Sequence, residues 1–97
     1  MSVLQLDARV SRSPELKARD IERATHAVST GDRSGAERTY QTAARADLQH
    51  PTSWSNLAAL GVALEDAEGA CRHAQRALQL DRHSSDAWVN FGVASWH

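Results

Sequence analysis

The chain of 97 residues has one cysteine, two prolines, five glycines and few aromatic side chains. A single cysteine excludes an intrachain disulfide, and a reducing compartment is its simplest home, so the expected location is cytoplasmic. Scarce glycine and proline, abundant alanine and few valines or isoleucines favour helix over strand. Neither charge sign dominates: eleven basic residues face twelve acidic ones, for a net charge of −1. That balance removes the basic excess needed for nucleic acid or an anionic membrane, so neither is expected as a partner. No stretch approaches the roughly 18 apolar residues of a membrane span. The N-terminal MSVLQLDARV lacks a basic region and Asp7 interrupts its apolar run, so it does not read as a secretory signal. The glycines are dispersed and form no phosphate-binding loop.

What the chain does have is an internal period. Trp54 and Trp88 lie 88 − 54 = 34 residues apart. At the same offset Asp32 matches Asp66, Gly35 Gly69, Ala36 Ala70, Arg38 Arg72, Gln41 Gln75, Ala43 Ala77 and Asp47 Asp81. Those are seven identities in twenty ungapped positions, where ordinary composition gives about one or two. Asn56 and Asn90 add another pair.

Local signals divide the chain into helices. Residues 1–13 read as either an extra helix, with Val3, Leu6 and Val10 on one face, or a disordered tail. Ser13-Pro14-Glu15 reads as a helix start. The first helix runs to about Ser29 and buries Leu16, Ala24, Ala27 and Val28, with Ile21 near the edge. Gly31 ends it and Asp32 caps the next, from about Arg33 to Ala46, which buries Ala36, Tyr40, Ala43 and Ala44. LQHP forms a loop. Pro51 opens a third helix that packs through Trp54, Leu57, Ala58, Gly61 and Leu64. After a turn at Glu65-Asp66, a fourth helix from about Ala67 to Leu80 packs through Ala70, Ala74, Ala77 and Leu78. Ser84 or Ser85 caps a fifth, which carries Trp88, Phe91 and Gly92 and runs to His97. Trp54 and Trp88 are expected to be largely buried between successive helices.

The period and its residues resemble the tetratricopeptide repeat family. Trp54-x-x-Leu57-Ala58 and Trp88-x-x-Phe91-Gly92 fill the first part of that motif. Ala36-x-x-x-Tyr40-x-x-Ala43 and Ala70-x-x-x-Ala74-x-x-Ala77-Leu78 fill the second, and Ala77 to Asp81 resembles the usual end of a unit. Asp20 and Arg23 depart from it in the first helix, Arg82 stands where proline is frequent, and Glu65 replaces the turn glycine. The resemblance implies an all-α fold: a short right-handed helical-hairpin solenoid of two tetratricopeptide-like pairs plus one further C-terminal helix. Repeat 1 spans about 17–50, repeat 2 spans 51–84 and a partial third covers 85–97, within a domain of 14–97.

By the same resemblance, the first helix of each pair lines a concave groove. Its residues here are Glu22 and Thr25, Asn56 and Ala59, and Asn90 and Val93. An asparagine amide carries both a donor and an acceptor, so Asn56 and Asn90 can clasp the backbone of an extended peptide, or can bond neighbouring backbone and support the stack. Members that clamp a terminal carboxylate use basic and asparagine side chains. The matching places are Ile21, Thr25, Asn56, Val89 and Val93, where only Asn56 agrees and the positive charges are missing, which argues against that function.

Other chemistry is weakly marked. Cys71 and His73, two apart, point away from each other on a helix, and His26, His50, His83 and His97 have no ligand spacing. Cys71 reads as an unreactive, partly buried thiol. Glu65, Asp66 and Glu68 read as solvated turn acids that favour the following helix. The expectation is a non-catalytic protein- or peptide-binding scaffold without cofactor or metal. The alternatives are an accessory repeat segment of a larger enzyme, such as a repeat-containing glycosyltransferase, in which case the chain is a fragment, and a self-assembly module that forms a homo-oligomer through the exposed C-terminal helix.

Overall fold

The structure is a computed structural model that describes residues 17–46 and 48–96. Within them lie five helices and no strand: α1 (Ala18–Ser29), α2 (Arg33–Arg45), α3 (Pro51–Ala63), α4 (Ala67–Leu80) and α5 (Ser85–Trp96). The chain is therefore all-α over the described residues. The expected start at Ser13-Pro14, the packing of Leu16 and the reading of residues 1–13 lie outside them.

Each boundary has a local cause. At the start of α1 the Asp20 carboxylate accepts a hydrogen bond from the Lys17 backbone N–H at 3.3 Å. At its end, Gly31 takes φ +102, while the Gly31 and Asp32 N–H groups donate to the Val28 and Ala27 carbonyls. This pair of bonds closes a helix C-terminus when the next residue adopts the left-handed conformation. The same closure recurs 34 residues on. Glu65 has φ +65, and the Glu65 and Asp66 N–H groups donate to the Val62 and Gly61 carbonyls. Asp32 and Asp66 then cap α2 and α4 by accepting from the Gly35 and Gly69 N–H groups, both at 3.0 Å. Pro51 stands in the first turn of α3 after an extended His50. Ser84, not Ser85, caps α5, its hydroxyl oxygen accepting from the Ala87 N–H.

α1 packs on α2 and α3, and α4 packs on α3 and α5. α3 touches all four other helices, whereas α2 touches only α1 and α3. This explains why α3 is buried nearly all round, through Ser53, Ser55, Leu57, Ala58, Leu60 and Gly61. Full burial of each leucine contributes about 1.5–3 kcal/mol. Ile21, Ala24, Ala36, Ala43, Leu48 and Leu64 complete this core, and Ala70, Ala74, Ala77, Ala87 and Ala94 are buried beyond it.

Four expectations change. Ile21 is completely buried rather than near the edge, because α1 is covered by two helices instead of one. Ala44 is exposed, because α2 has only two neighbours and its buried stripe is narrow. Trp54 is half-buried rather than largely buried. Trp88 is 53% exposed and Gly92 is exposed, because among the described residues no helix stands against α5 as α4 stands against α3.

Candidate functional site

The joint between the hairpins sets the geometry of the molecule. The Trp54 indole N–H donates to the Leu48 carbonyl at 3.0 Å. Its ring stacks on His73 with centroids 5.8 Å apart, and the Arg76 guanidinium sits 6.0 Å from its centroid. The Tyr40 ring meets His73 edge-on at 5.6 Å. The Tyr40 hydroxyl donates to Asp66 Oδ2 at 2.7 Å, while Oδ1 of the same carboxylate caps α4. Asp66 is thus partly buried and pairs α2 with α4's first turn, which corrects its reading as a solvated turn acid. The Tyr40 bond holds the Asp66 carboxyl below its usual range, helped by the Gly69 N–H and against some burial. Burial, and then the Asp66 bond, push the Tyr40 phenol well up. Burial, with Arg72 beside it, lowers the His73 pKa against the pull of Asp66. His73 was invisible to ligand-spacing arguments, since its partners come from other helices.

The groove residues divide into two sets. Glu22 and Thr25 from α1 meet Asn56 and Ala59 from α3 in an open cleft of about 650 Å³. Arg23, His26, Ser29 and Ala63 line it too. His26 and Ser29 follow Glu22 by four and seven residues, a helical-face spacing by which the sequence could have found them. Asn90 and Val93 on α5 do not line this cleft. Ile21, one of the places matched to a carboxylate clamp, is in the core and cannot line a groove.

Both asparagines are half-buried and tie the first helix of one hairpin to the first helix of the next. The Asn56 Nδ2 donates to the Ala18 carbonyl at 2.9 Å. The Asn90 Nδ2 donates to the Ser55 carbonyl at 2.9 Å and to its hydroxyl oxygen at 3.1 Å. The Thr25 hydroxyl donates to the Ile21 carbonyl at 3.2 Å, so its proton is held by its own helix. Such bonds satisfy groups that burial would otherwise penalise, and they fix the width of the α1–α3 cleft.

A second open cleft, of about 620 Å³, lies between α4 and α5 and is lined by Gln75, Leu78, Gln79, Arg82, Trp88 and Phe91. The Trp88 indole N–H donates to the Arg82 carbonyl at 2.9 Å, which repeats the Trp54–Leu48 bond at an offset of 34 residues.

Among the described residues no three His, Cys, Asp or Glu side chains gather as a metal site, and Cys71 is a free, half-buried thiol. No described helix is long and apolar enough to cross a membrane. No family model matches the chain, and no curated protein or solved structure shows significant similarity to it.

Proposed function

We propose that the chain is a tetratricopeptide-like helical stack and a non-catalytic, cytoplasmic module that binds an extended peptide segment of a partner protein between α1 and α3. The observation that carries this reading is the meeting of Glu22, Thr25, Asn56 and Ala59 in one cleft. Recurrent contacts support the stack itself. The helix closures at Gly31 and Glu65, the caps at Asp32 and Asp66, and the indole bonds of Trp54 and Trp88 all repeat at 34 residues. The cleft floor is small and apolar at Ala59 and Ala63, while Glu22, Arg23 and His26 give its rim both acidic and basic character. A mixed rim over a small-residue floor suits a peptide whose backbone lies along the cleft and whose side chains alternate outward.

The cleft can be filled without touching the asparagine bonds. Peptides selected from a random display library on the wild-type protein should bind the Ala59→Trp variant at least tenfold more weakly, with unchanged far-ultraviolet circular dichroism. Equal binding to both proteins removes the cleft as the site. Asn56→Ala is a poorer probe, because Asn56 also holds α1 to α3.

A further inference from the structure

Helix α5 turns an uncharged stripe outward. At about 100° per residue, Trp88, Gly92 and Trp96 fall within roughly 80° of arc, flanked by Val89 and Ser95. All five are exposed, Trp96 at 88% and Val89 at 62%. The opposite face is committed to the fold: Ala87 and Ala94 are buried, and Asn90 bonds Ser55 on α3. The only charged residue in the helix is Asp86, in its first turn.

Two polar groups of the stripe are already satisfied within the chain. The Trp88 N–H is held by the Arg82 carbonyl, and the Ser95 hydroxyl donates to the Phe91 carbonyl at 2.6 Å. Covering the stripe therefore strands neither of them. Position for position, the stripe also matches a covered surface one repeat earlier. Trp54 is flanked by His73 and Arg76, and Ala58, the equivalent of Gly92, is completely buried.

We propose that the occupant is a second copy of this chain, with the two α5 helices packed antiparallel about a twofold axis at Gly92. The pattern is its own complement, because Trp88 and Trp96 stand four residues either side of Gly92. Antiparallel pairing lays Trp88 of each copy on Trp96 of the other and brings Val89 opposite Ser95. Gly92 meets its own image, and a Cβ there would have nothing within 4 Å in the single chain. Two glycines at the crossing let the axes come inside the usual spacing of about 8–10 Å, so the indoles can reach across. With one charge per helix, no like-charge repulsion opposes the pairing. A contact of this kind uses the same patch twice and closes at two copies.

The area sets the strength. A tryptophan carries up to about 250 Å² of surface, so the two exposed rings offer roughly 350 Å² per copy. With Val89 and Gly92 added, the pair buries about 1,000 Å² in all, at the low edge of stable interfaces. The dimer is therefore reversible and micromolar rather than obligate. It shares no residue with the α1–α3 cleft, so either proposal can fail without the other.

Sedimentation velocity from low micromolar to submillimolar concentration tests it. The expected result is a monomer–dimer equilibrium with no larger species, weakened at least tenfold by Trp96→Ser and by Gly92→Leu. Gly92→Leu separates register from mere stickiness: it adds apolar surface but holds the helices apart. On a Cys71→Ser background, Gly92→Cys should oxidise to a covalent dimer and Asp86→Cys should not. Circular dichroism controls for folding in every variant. A monomer at all concentrations, open-ended assembly, or dimerisation by Gly92→Leu as strong as wild type would each overturn the proposal.

Discussion

Two helical glycines should respond to alanine with opposite signs. Replacing a helix-interior glycine by alanine ordinarily gains about 0.8–1 kcal/mol of helix propensity. At Gly61 the new Cβ would lie 2.9 Å from the Tyr40 hydroxyl, 3.1 Å from the Ala70 Cβ and 3.2 Å from the Ala70 Cα. Neither neighbour yields freely. Tyr40 is tied to Asp66 at 2.7 Å, and the Ala70 Cα is the backbone of α4. Relief by separating α3 from α4 costs about 1–3 kcal/mol, as overpacking does. Relief by swinging Tyr40 away loses a hydrogen bond to a charged group, worth about 1.5 kcal/mol at the partly solvated Asp66. Gly61→Ala should therefore destabilise by a net ~1–2 kcal/mol after the propensity gain. At Gly92 nothing lies within 4 Å, and Gly92→Ala should stabilise by about 1 kcal/mol. The two variants should differ by about 2–3 kcal/mol, or roughly 10–20 °C in melting midpoint for a domain of this size. Urea denaturation followed by circular dichroism, at a protein concentration too low for self-association, measures both. A Gly61→Ala variant as stable as wild type would refute the close α3–α4 approach.

Three further outcomes follow from the joints between helices. Trp54→Ala should cost about 2–3 kcal/mol in chemical denaturation, below a fully buried aromatic because the ring is half-buried. Trp88→Ala should cost about 1 kcal/mol or less, in keeping with its exposure; equal losses would contradict the open face of α5. Glu65 sits at φ +65, a left-handed conformation that costs an L-residue about 1–2 kcal/mol. Glu65→Gly should raise stability by about 0.5–1 kcal/mol once the freedom of glycine in the unfolded chain is counted. The exposed 3.7 Å contact it loses to Arg33 contributes little. For His73, burial holds the folded-state pKa below 6.5, so the unfolded chain binds the proton first. Its contribution is present above about pH 6.5 and is lost as pH falls from there toward the lowered value. The denaturation midpoint should fall across that window and fall less in His73→Gln; parallel pH profiles would remove His73 as the cause.

The boundaries were legible because they rest on local chemistry. Gly31-Asp32, Pro51 and Ser84 announce their helices in two or three residues, and α4 spans Ala67–Leu80 as its apolar spacing implied. Burial was less legible, because a stripe argument assumes one partner per helix. α3 has four, so Leu60 and the serines at 53 and 55 are buried without belonging to any one stripe. Leu48 looked like loop but is buried, and its carbonyl receives the Trp54 indole N–H. Of the groove residues, Glu22, Thr25, Asn56 and Ala59 converge as the resemblance implied. Asn90 and Val93 do not join them, and the half-buried Tyr40–Asp66 bond depends on residues 26 apart whose meeting no local pattern announces.

The central position of α3 also orders how the molecule can come apart. α5 can lift away while the α3–α4 hairpin keeps its shared core, and α1 with α2 can detach from the other side. α3 has no such route, since its release frees every other helix at once. Its amides can therefore exchange with solvent deuterium only through whole-molecule opening, whereas those of α2 and α5 exchange through smaller and more frequent excursions.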